Sequence, residues 1–122
     1  MKQKSPKTTS KNELRLKVLR ILETNPDLSQ RQLAEKLGVS LGGVNYAMRA
    51  LVNKGFVKVH NFRSANNKVA YIYQLTPQGL NRKTQLASAF LGRKLKEYNV
   101  LKQEIELLKT ESTSMKQSGG LK

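Results

Sequence analysis

The 122-residue chain has no cysteine and no tryptophan, and it has a single histidine, His60. Without thiols there is neither a disulfide framework nor a thiolate metal site, and one imidazole is too few for a histidine cluster around a metal. His60 and eight acidic residues form no grouping suited to general acid–base or nucleophilic work. An enzyme is therefore the least expected reading, and no cofactor or metal is expected. No apolar run approaches the roughly 20 residues that span a bilayer, and the opening MKQKSPKTTSKNE lacks the apolar stretch of a signal peptide. The expected location is the cytoplasm, with no membrane partner.

Acid is scarce in one long stretch above all. From Lys36 to Lys96 there is no Asp or Glu, while the same stretch carries eleven lysines and arginines, and the whole chain has a formal charge of +15. A folded region with that one-sided balance attracts a polyanion, nucleic acid first and an anionic membrane surface second.

What is present is mostly helical periodicity followed by a short alternating stretch. Residues 1–11 are basic and polar and read as a disordered arm. Asn12 is placed to cap a first helix whose apolar positions are Leu14, Val18, Leu19, Ile21 and Leu22, and Asn25-Pro26 ends it near Thr24. Ser29-Gln30-Arg31-Gln32 has the form of a capping box, opening a short helix with Leu33, Ala34 and Leu37 inward. Gly38 offers the positive φ of a sharp turn. Ser40 then caps a helix over residues 41–54 with Val44, Met48, Leu51 and Val52 on its apolar face, stopped by Gly55. The period changes to alternation in Phe56–His60 and again in Tyr71–Leu75, two strands with Tyr71, Tyr73 and Leu75 on one face. Thr76-Pro77 is the strongest helix-start signal in the chain. A long helix over residues 77–109 follows, and a polar tail over 110–122 reads as disordered. The fold class is mainly α with a small β hairpin (α+β): a winged helix-turn-helix domain over residues 12–76 and a long C-terminal helix for dimerisation.

Gln30 to Arg49 carries the helix-turn-helix pattern. Ala34 is small where two helices cross, Gly38 turns the chain, and Leu33, Leu37, Val39, Val44, Ala47 and Met48 are spaced to meet. Ser40, Leu41, Gly42, Asn45, Tyr46 and Arg49 remain outward on the second helix, the face that enters a major groove. Asn45 has the amide fork that bonds adenine, Arg49 bonds guanine or phosphate, and Tyr46 reaches a thymine methyl or a phosphate. Gly42 and Gly43 each cost a helix about 0.8–1.0 kcal/mol relative to alanine. Either bare backbone lies close to DNA there, or the helix starts late or a neighbouring group crowds the site. Ser29 and Arg31 complete the expected contacts from the first helix. Arg63, Asn66, Asn67 and Lys68 sit at the hairpin tip, where a wing crosses the backbone or minor groove; for the two asparagines turn geometry is the simpler reason. His60 reads as a solvated strand residue. The readings drawn from these residues are binding of double-stranded DNA by a nucleoid-associated protein, an interaction module that takes protein or RNA, or a plasmid or phage replication or partition protein.

The run NPDLSQRQLAEKLGVSLGGVNYAMRALVNKGFVKVHNFRSANNKVAYIYQLTPQG, with the later LKQEIELLK, resembles the MarR-family regulators associated with exopolysaccharide gene clusters. The resemblance spans roughly residues 14–109 and implies a winged-helix transcriptional regulator encoded near surface-polysaccharide genes. The chain departs from the wider family in having only a polar arm before its first helix and one long helix after the wing. The resemblance therefore does not carry over a small-molecule effector pocket.

The long helix has an apolar stripe that starts with Leu80, Thr84 and Ala87, expected inward, and continues through Leu91, Leu95, Tyr98, Leu101 or Lys102, Ile105 and Leu108 in its far half. At 1.5 Å per residue such a helix is about 50 Å long, more than a small domain can cover. A second copy of the chain is the expected partner, giving a homodimer that presents two reading helices to an inverted repeat. The alternative is a helix folded back on its own domain.

Overall fold

The computed structural model describes residues 10–63 and 66–119, with side chains as far as Ser114. The expected arm, apart from Ser10 and Lys11, lies outside the described residues, as do Ser64 and Ala65 in the hairpin tip. Three helices come first: α1 (Lys11–Thr24), α2 (Gln30–Leu37) and α3 (Leu41–Asn53). The strands β1 (Val57–Arg63) and β2 (Val69–Leu75) follow, then α4 (Pro77–Gly119).

α1 is started by Ser10, not by Asn12 as the sequence suggests: the Ser10 hydroxyl accepts from the Glu13 N–H at 3.0 Å. Ser10-Lys11-Asn12-Glu13 has the Ser-x-x-Glu spacing of a helix start, and serine at the cap accepts a first-turn N–H that would otherwise be orphaned. The helix buries Leu16, Val18, Leu19 and Leu22. Leu16 joins the core although it lies off the expected stripe, so α1 is covered on more than one narrow face. α2 has the full capping box, with Ser29 and Gln32 satisfying each other's backbone N–H. It ends at Gly38 with φ 67°, a left-handed conformation that glycine adopts without a Cβ penalty. Leu33 and Ala34 of α2 meet Val44, Ala47, Met48 and Leu51 of α3 in the same buried cluster.

β1 and β2 are antiparallel, in register from Val57↔Leu75 to Arg63↔Val69. Both strands run further into the polar segment than alternation alone suggests, because Asn61, Arg63 and Val69 fit an exposed ladder. Among the described residues of the hairpin, only Val57 and Tyr73 are buried. β2 is tied back to the loop before α2 by the Tyr73 N–H, which donates to the Pro26 carbonyl at 2.9 Å.

Thr76 caps α4, its hydroxyl accepting from the Gly79 N–H at 3.0 Å while donating to the Gly55 carbonyl at 2.6 Å. One compact unit reaches Ala87 and so includes the first turns of α4. The face those turns bury carries Gly79 and Leu86, whereas Leu80 and Thr84, expected inward, are exposed. Gly79 decides this. A Cβ at this position would collide with the Phe56 carbonyl, so bare backbone must face β1's approach. Lys83 on the same side pairs with Glu23 of α1.

The second unit begins at Ser88. Its helix continues to Gly119, ten residues past the expected end at Lys109 and through most of the tail expected to be disordered. Every described side chain from Leu91 to Ser114 is exposed.

Candidate nucleic-acid interface

The helix-turn-helix is built by capping and by a tight turn. The Gly38 N–H bonds the Ala34 and Glu35 carbonyls, and the Val39 N–H reaches back to the Ala34 carbonyl at 3.1 Å. Two residues later Ser40 caps α3, accepting from the Gly43 N–H at 2.9 Å. The burial of Val44, Ala47 and Met48 leaves the opposite face of α3 outward. Leu41, Gly42, Asn45, Tyr46 and Arg49 are all exposed on it, Tyr46 to 61%. An exposed tyrosine and leucine beside an amide and a guanidinium make a face with both apolar and hydrogen-bonding reach.

The structure separates the two reasons for the paired glycines. At Gly42 an added Cβ would meet nothing within 4 Å, so no neighbour among the described residues demands glycine there. At Gly43 it would stand 3.1 Å from the Ser40 hydroxyl, so the cap itself crowds that position. Crowding thus accounts for glycine at Gly43 and not at Gly42.

Asn45 is not an isolated fork. Its side-chain amide donates to Gln30 Oε1 at 3.1 Å, and the Gln30 amide donates to the Tyr73 hydroxyl at 3.3 Å. The second N–H and the carbonyl oxygen of Asn45 keep the donor–acceptor pair that an adenine edge requires. Ser29 and Arg31 are exposed at the start of α2, the Ser29 hydroxyl being engaged as the helix cap. At the wing, Asn67 has φ 64°, which supports the turn reading of that residue, since asparagine tolerates the left-handed region better than most. The Arg63 guanidinium donates to the Asn67 carbonyl at 3.3 Å and braces the tip. Asn66, Asn67 and Lys68 are exposed beside it. His60 is exposed and meets Gln74 Oε1 at 2.9 Å on the hairpin surface.

A groove of about 610 Å³ beside this face escaped the sequence reading. Lys11 and Arg15 of α1 and Tyr46, Arg49, Asn53 and Lys54 of the α3 region line it. Arg15 Nε is buried in this wall without a hydrogen-bond partner, and Lys11 Nζ stands 5.8 Å from the centre of the Tyr46 ring. Lys11 and Arg15 are four residues apart on a helix and so share a face. That spacing was the available signal, but it points to α3 only once the packing of α1 is known. The unit's four acids, Glu13, Glu23, Asp27 and Glu35, all lie on α1, the following loop or α2. Glu13 pairs with Lys17 at 3.6 Å, and Glu23 with Lys83. No carboxylate lies on α3 or the wing.

Residues 11–58 match the family described as winged helix-turn-helix DNA-binding. No curated protein sequence matches the chain. Among solved structures, a protein of Streptococcus mutans aligns with a TM-score of 0.69 at 13% identity, over 80% of this chain and 94% of that one. A PadR-like transcription factor of Bacteroides fragilis aligns at 0.61 and 17%, over 74% and 91%. A MarR/EmrR-family transcriptional regulator of Acinetobacter aligns at 0.51 and 21%, over 84% and 75%. At these identities the likeness is one of fold. Three capped helices, the hairpin packed behind them and the helix that follows are a winged helix-turn-helix, and the chain's structural neighbours include MarR-type regulators.

Proposed function

We propose that the chain binds double-stranded DNA in a sequence-dependent manner and regulates transcription as a homodimer. The observation that carries this reading is the exposed α3 face with a wing beside it, both free of carboxylates. Leu41, Gly42, Asn45, Tyr46 and Arg49 read base edges in the major groove. Ser29, Arg31, Arg63 and Lys68 hold the phosphates on either side, together with Lys11, Arg15 and Lys54 of the neighbouring groove. Gly43 serves the cap that lets Gly42 come close to the backbone, and Asn66 and Asn67 shape the wing tip. The dimer forms through Leu91, Leu95, Tyr98, Leu101, Ile105 and Leu108 of α4. The resemblance of the winged segment to regulators of exopolysaccharide clusters supports surface-polysaccharide genes as the target.

Fluorescence anisotropy with labelled DNA from the chain's own upstream region, against random competitor, tests the reading. Preferential binding that weakens steeply with salt through counterion release is expected. Equal affinity for random DNA would remove the sequence dependence. No binding even at low salt, or tighter binding to RNA, would overturn the proposal. Mapping of bound fragments across the source genome then tests the target genes.

A further inference from the structure

From Ser88 onward α4 exposes an apolar seam, with Tyr98, Leu101 and Leu108 each more than half exposed and Ile105 at 43%. We infer that this seam pairs with a second copy of the chain as a parallel, in-register two-stranded coiled coil, because its flanking charges match only in that orientation. The inference rests on the homodimer reading and adds the direction of the chains.

Taking heptad position a at Leu91, Tyr98 and Ile105 places Leu101 and Leu108 at d. The g positions are then Phe90, Glu97, Glu104 and Glu111, and the e positions are Leu95, Lys102 and Lys109. In a parallel pair, g of one chain faces e of the next heptad on the other. Phe90 then meets the partner's Leu95, Glu97 the partner's Lys102, and Glu104 the partner's Lys109. Each contact is apolar on apolar or acid on base. In an antiparallel pair g faces g and e faces e, so glutamates face one another or Phe90, lysines face one another or an uncharged residue, and no heptad-aligned register brings an acid to a base. Lys94 is the one charge at a d position, and its amine turns away to Glu97 at 3.3 Å and to the Phe90 ring, leaving its stem on the seam. Val100 and Leu107, also exposed, adjoin the glutamates on the side that the partner's lysine stems cross.

The absence of cysteine makes a cross-linking test clean. Mass by light scattering on the intact chain comes first: a dimer is expected, and a monomer or trimer would overturn the homodimer itself. Leu101→Cys and Leu108→Cys, made separately, should then each form an inter-chain disulfide under mild oxidation. Both positions lie opposite themselves only when the chains run in parallel and in register. A dimer that cross-links at one position or neither overturns the orientation and leaves the homodimer standing. The charge argument has its own test in Glu97→Lys with Glu104→Lys, which should weaken the dimer about tenfold or more. Adding Lys102→Glu and Lys109→Glu to the same chain should restore it. Unchanged dimerisation in the first variant, or no rescue in the second, overturns the charge pairing.

Discussion

α1 and the far part of α4 use the same residue types at similar spacings and meet opposite fates. Leu16, Val18, Leu19 and Leu22 of α1 are at most 2% exposed, whereas Leu101, Ile105 and Leu108 of α4 range from 43% to 61%. An apolar stripe at helical period states that a face needs cover; it does not say what supplies the cover. In the winged domain the cover is α2, α3 and the hairpin, each fixed by its own cap or turn. On the distal helix every described side chain from Leu91 to Ser114 is left exposed.

The largest expected effects come from breaking the covered side of that contrast. Gly79→Ala forces a methyl into the Phe56 carbonyl, and Leu19→Ala or Leu33→Ala empties a fully buried site. Each leucine change should cost about 2–5 kcal/mol in chemical denaturation, with Gly79→Ala as severe. The corresponding change on the uncovered side, Ile105→Glu, should abolish dimerisation by sedimentation while moving the melting of the winged domain's core little. If Ile105→Glu unfolds the winged domain, the two regions are not the separate units described.

Two smaller effects sharpen the contrast within the winged domain. Arg49→Ala should cost about 1–3 kcal/mol in operator binding and relax preference at one position, while Lys68→Ala should weaken all DNA alike and lower the salt slope by about one. Gly42→Ala should raise stability by a few tenths up to about 1 kcal/mol, since it improves helix propensity in open space, yet it should weaken DNA binding. Improved stability with unchanged binding would remove the close-approach reason for glycine there. The smallest expected change is Ser10→Ala, about 0.5–1 kcal/mol from loss of the α1 cap.

Local chemistry was the legible part of the fold. The Ser29–Gln32 capping box, the left-handed Gly38, the Ser40 cap and the Thr76-Pro77 start each depend on residues within four positions of one another, and the structure has all four. What the sequence concealed depended on packing at long range. Leu16 is buried because α1 is covered broadly. Gly79 rather than Leu80 faces the core because Phe56 approaches it, and Lys11 and Arg15 reach the α3 face only through the docking of α1. Of the candidate interface, the outward row on α3 and the wing cations followed from periodicity. The Gln30 link did not, because it joins residues 43 positions apart through one amide.

That link binds the parts of the interface to one another. Asn45 on α3, Gln30 at the head of α2 and Tyr73 on the hairpin form one row of hydrogen bonds. In the proposed complex a base that draws Asn45 toward itself would load the wing strand, so helix and hairpin would meet the duplex as one linked template. Accommodation to an imperfect site then falls on the nucleic acid, whose bending and groove width set the energetic toll of a mismatch.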